Sequence, residues 1–76
     1  MPGRLPRVTG PELVRALRRA GWREVHQVGS HVQLDHPTRP GQVTVPVHRG
    51  KIIKPGTLGN ILRQAGLTAD ELRDLL

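Results

Sequence analysis

At 76 residues the chain is sized for a single compact domain spanning 1–76, and a domain this small buries only roughly 60% of its unfolded surface. Trp22 is its one aromatic residue, with no Phe or Tyr, so the core must come from Leu, Val, Ile and Ala and a deep pocket for an organic cofactor is not expected. Twelve Lys and Arg against six Asp and Glu give a charge of +6, which suits polyanionic partners: nucleic acid, an acidic protein or an anionic surface. Cysteine is absent, which excludes disulfides, thiolate nucleophiles and zinc–thiolate sites. The N-terminal residues have no apolar h-region, and no run approaches the roughly 18 apolar residues of a membrane span. A cytoplasmic protein without a membrane partner is expected.

Residues 1–8 carry prolines and arginines without periodicity and read as a loose leader. Thr9-Gly10-Pro11-Glu12 then offers a capping box, with Pro in the first turn and Glu three residues after Thr. Leu13, Val14, Leu17 and Ala20 follow at helical spacing, and Gly21 is placed to end a helix over 10–20. From Trp22 the period changes to two, giving strands over 22–28, 30–36 and 42–47, separated by Gly29 and by the turn cluster Pro37-Thr38-Arg39-Pro40-Gly41. After a basic loop over 48–55, Thr57 is expected to cap a second helix carrying Leu58, Ile61, Leu62 and Ala65 on one face, ended by Gly66. Thr68-Ala69-Asp70-Glu71 is a second capping box, opening a short C-terminal helix. The reading is an α+β fold, α-β-β-β-α with a three-stranded antiparallel sheet, both main helices on one sheet face and the other face open to water.

Alternation along the strands sorts the candidate chemistry. Val32 and Leu34 belong to the helix side, which sends His31, Gln33 and Asp35 to the open face; Val43, Val45 and Val47 send Thr44, Pro46 and His48 the same way. A four-residue hairpin loop over 38–41 would set Val32 across from Val47 and His31 across from His48. Imidazole titrates near neutrality and suits proton transfer at a ribose hydroxyl. Lys51 and Lys54 sit in the loop feeding the second helix, whose free N–H groups favour phosphate. His26 reads as a solvated surface residue, and His36 as a packing or capping residue paired with Val43. Strand alternation separates His36 from His31 and His48, and no compact ligand motif is present, so no metal site is expected. Ser30 and His31 are strand neighbours that point apart, so they form no hydrolase pair.

Gly21-Trp22, Gly29-Ser30-His31, Val45-Pro46-Val47-His48, Lys54-Pro55-Gly56-Thr57-Leu58 and Ile61-Leu62-Arg63-Gln64-Ala65-Gly66-Leu67 together resemble the HicA toxins, in that family's order and spacing from about Gly10 to Leu72. The resemblance implies a fold like a double-stranded RNA-binding domain, which the element order above matches. It also implies a type II toxin–antitoxin toxin that cleaves mRNA without metal or cofactor and so arrests translation. A HicB-type antitoxin would cover the site, with oligomers forming through the antitoxin complex. The catalytic histidine of the Gly-Ser-His motif would be His31, acting as general base. His48 is a candidate acid or orienting group, and a mechanism with one histidine and water or lysine as partner stays open. RNA contacts are expected from Ser30, Gln33, Arg49, Lys51, Lys54 and Thr57. The alternatives are a non-catalytic RNA-binding module and a protein-interaction subunit docking an acidic partner. Gly59, inside the second helix, departs from good helix chemistry by about 1 kcal/mol relative to Ala, unless it serves a close backbone approach.

Overall fold

The computed structural model describes residues 4–76. Thr9 caps the first helix: its hydroxyl accepts from the Glu12 N–H, and the Glu12 carboxylate accepts from the Thr9 N–H at 2.8 Å. Helix α1 (Gly10–Arg19) follows, burying Leu13, Val14, Ala16 and Leu17 and leaving Arg15, Arg18 and Arg19 in solvent. Strands β1 (Arg23–Val28), β2 (His31–Asp35) and β3 (Val43–Pro46) form an antiparallel sheet in the order β1-β2-β3. Helix α2 (Pro55–Ala65) and helix α3 (Ala69–Leu75) complete an α-β-β-β-α-α order. Val32, Leu34, Val43 and Val45 from one sheet face join Leu13, Leu17, Leu58, Ile61, Leu62 and Leu72 in a single apolar cluster. The helices therefore cover one face of the sheet, as its alternation demands.

Several details depart from the expectation. The β2–β3 ladder pairs Val32 with Val45, Leu34 with Val43 and His31 with Pro46, a register two residues away from the expected one. The connecting loop accordingly spans 36–42 rather than 38–41. Its cause lies in His36, which leaves the ladder instead of pairing with Val43. Its Nε2 faces the Ala20 carbonyl at 3.2 Å, its Nδ1 accepts from the Thr38 N–H at 3.1 Å, and its ring meets Trp22 edge-on at 5.2 Å. A backbone donor on Nδ1 and a carbonyl on Nε2 require the proton on Nε2. Pro37 and Pro40, lacking an N–H, cannot extend the ladder through this segment. The shift of two preserves every face assignment, because side chains alternate with period two.

Helix α2 begins at Pro55, two residues before the expected Thr57 cap; Lys54 is the N-cap and gives no side-chain cap bond. Proline suits the first helical position because the N–H it lacks would be unpaired there. Of the leader, residues 1–3 lie outside the described part. Leu5 packs against the core and Val8 is 1% exposed, while the Val8 carbonyl accepts from the Ile53 N–H at 2.8 Å. Together with the Thr9–Ile52 bridge, this contact pins the basic loop to the start of α1, so the end of the leader is docked. No helix is long and apolar enough to cross a membrane among the described residues.

Candidate active site

His31 opens β2 immediately after the Gly29-Ser30 turn, where Gly29 has a φ of +57°. The Ser30 carbonyl accepts from the Val47 N–H, which continues the ladder one pair past β3 and holds the turn against the third strand. His31 is exposed on the open face, between Val28 of β1 and Pro46 of β3. Gln33, half-buried, lies on the same face between His26 and Thr44.

His48 is not across from His31. The register places Pro46 there, and His48 falls beyond the end of β3, where its carbonyl accepts from the Lys51 N–H to close a turn. The alternation that suggests a place beside His31 is satisfied equally well after a two-residue shift. What His48 does is line a cleft of about 260 Å³ together with Pro46, Lys51, Ile52, Ile53, Lys54 and Thr57. Pro46 thus belongs to both places: it neighbours His31 across the ladder and forms a wall of the cleft. Arg49 is exposed in the turn beside the cleft without lining it.

The cleft carries one imidazole and two ammonium groups and borders the start of α2. Pro55 has no N–H, and the first-turn N–H groups of Gly56 and Thr57 lack intrahelical partners, since the first helical bond runs from Leu58 to Lys54. Lys54 supplies no side-chain cap. Thr57, released from the capping role expected of it, lines the cleft instead. Positive charge and free donors here make a seat for an oxyanion. Residues 46, 52 and 53 of the lining are not among the candidates that the sequence suggests, although the Val45-Pro46-Val47-His48 run contains the first of them. Ile52 stays 43% exposed, so the cleft has an apolar lip beside its cations. Among the described residues no group of three or more His, Asp or Glu converges as a metal-binding cluster.

The arrangement can move a proton at an open face and hold a phosphate next to it. A search among curated proteins finds no match to this chain. The family description "HicA toxin of bacterial toxin-antitoxin" matches residues 10–67, a stretch that contains His31, the cleft and both main helices. The chain belongs to the HicA toxin family, the toxin side of bacterial toxin–antitoxin pairs.

Proposed function

We propose that this toxin is a metal-independent endoribonuclease that cleaves mRNA and thereby arrests translation, with His31 as general base. The observation that carries the reading is the shared position of Pro46: it ties an exposed imidazole on the open face to a cleft lined by His48, Lys51 and Lys54. His31 takes the proton of a ribose 2′-hydroxyl, the 2′-oxygen attacks the adjacent phosphorus, and a 2′,3′-cyclic phosphate forms. Lys51 and Lys54 hold phosphate with the first-turn N–H groups of α2. His48, seated among them, orients the phosphate; two residues past Pro46, it is a diagonal rather than a direct neighbour of His31. Ser30 and Gln33 flank His31, and Arg49 and Thr57 flank the cleft, as further RNA contacts. The likeness of this element order to double-stranded RNA-binding domains fits the same reading. The antitoxin is of HicB type and covers this face.

The test is His31→Ala. The variant is expected to lose RNA cleavage and growth arrest by about 100-fold or more, on the order of the usual contribution of a general base, while keeping its fold and its grip on the antitoxin. Wild-type toxin, freed of antitoxin, should cleave RNA in buffer containing a chelator; intact RNA under those conditions defeats the proposal.

A further inference from the structure

The β1–β2 ladder is interrupted at one point. Arg23 pairs with Asp35 and Glu24 with Leu34, but the next pair is His26 with Gln33, leaving Val25 as an extra residue in a bulge. Continued without the bulge, the ladder would set His26 opposite Val32, on the helix side. The bulge advances the register by one and so reverses the face of every later residue in β1. His26 consequently joins Gln33 on the open face, two positions along the strand from Val28, the partner of His31. That makes His26 a diagonal neighbour of His31, with backbones about 7–8 Å apart. Both residues are exposed.

We propose that His26 is the general acid of the cleavage reaction, a role for which the sequence offers His48 only as a candidate acid or orienting group; this rests on the endoribonuclease reading above. Two imidazoles on one face at diagonal spacing can flank a phosphodiester. The charged groups closest to His26 along the sheet are already engaged with others. Arg23 and Asp35 satisfy each other across the ladder at 3.1 Å, Glu24 on the helix side of the same strand is paired with Arg18, and Gln33 is uncharged. In the step itself His31 accepts the 2′-hydroxyl proton and the 2′-oxygen forms its bond to phosphorus. The bond from phosphorus to the 5′-oxygen breaks, and the His26 imidazolium gives that oxygen its proton. The products are a 2′,3′-cyclic phosphate and a 5′-hydroxyl, and the two histidines finish with their protonation exchanged. Water returns the proton to His26 before the next turnover.

A leaving group that needs no proton separates this role from a structural or binding one. An RNA oligonucleotide holding a linkage cut by the wild type is compared with the same oligonucleotide carrying sulfur in place of the bridging 5′-oxygen, since a thiolate departs unprotonated. His26→Ala, on an exposed edge strand, should cleave the oxygen substrate about 100-fold or more slowly than wild type and approach wild-type rate on the sulfur substrate. His31→Ala should stay impaired on both, and so should His48→Ala if it only orients phosphate. Wild-type rates for His26→Ala on the oxygen substrate overturn the assignment, as does an equal loss on both substrates. If His31→Ala is inactive while His26→Ala is not, the acid assignment falls alone. If the wild-type toxin cuts no RNA, both proposals fall together.

Discussion

Two glycines show how the space around a single hydrogen atom decides the sign of a substitution. A methyl added to Gly10 would run into backbone, the Pro46 carbonyl oxygen and, at 2.7 Å, the Val47 Cα. Neither can move without separating α1 from the end of β3. A methyl added to Gly59 would meet nothing nearer than the Leu5 Cδ1 at 4.0 Å, so no close backbone approach is made at that position. Gly10→Ala should therefore destabilise the toxin by about 1–3 kcal/mol through overpacking. Gly59→Ala should stabilise it by about 0.5–1 kcal/mol through helix propensity. Urea denaturation of the two variants beside wild type checks both signs at once. The first variant also displaces Pro46, the wall shared by His31 and the cleft, so its cleavage rate should fall where that of Gly59→Ala does not.

At the scale of elements, the helix starts carry a built-in response to acid. Glu12 lies below the ordinary glutamate value of 4.5, first because the Thr9 backbone N–H donates to it, then through the Thr9 hydroxyl, with Arg15 adding a smaller attraction against a desolvation cost. Glu71 is lowered in the same way by Thr68. Since the unfolded chain takes up these protons at higher pH than the folded one, the stabilisation is fully present above 4.5 and is lost as pH falls through the lowered folded values. Glu12→Gln/Glu71→Gln keeps the size of both side chains but cannot titrate. Its stability should decline less steeply than that of wild type on acidification below the ordinary value, and urea denaturation across that range measures the difference. These boxes are legible in the sequence because they are local, a Thr and a Glu three residues apart. Sheet faces are legible for a similar reason, since Val32, Leu34, Val43 and Val45 need only alternation. Register is not: Val32 against Val45 and Val32 against Val47 bury the same face, and the choice lies in how His36 bonds to Ala20 and Thr38. The bulge at Val25 leaves no pattern either, because all six residues of β1 are exposed and nothing in them reports a change of face. His31 is thus legible as an open-face residue, while its neighbours depend on a register and a bulge that only the assembled sheet reveals.

The chain carries a charge of +6, and two groups of its cations lie on different sides of the sheet. Lys51 and Lys54 border the cleft beside the His31 face, whereas Arg15, Arg18 and Arg19 lie on the outer side of α1, with the sheet between them and His31. Two of those arginines are also engaged, Arg18 with Glu24 at 3.9 Å and Arg19 with the Leu75 carbonyl. A field from net charge raises encounter with RNA from any side, but only a cation in contact with phosphate releases a counterion on binding. The salt dependence of affinity therefore distinguishes the two sets. With His31→Ala as background, so that RNA survives the measurement, Lys51→Ala/Lys54→Ala should reduce the slope of log K against log salt for single-stranded RNA by about 1.4, roughly 0.7 for each lost contact. Arg15→Ala, which removes a solvent-exposed cation from the far side, should weaken binding slightly at low salt and leave the slope unchanged. Equal changes in slope from both sets would mean that RNA wraps the helix layer as well as the open face, and the cleft would then be one cationic site among several.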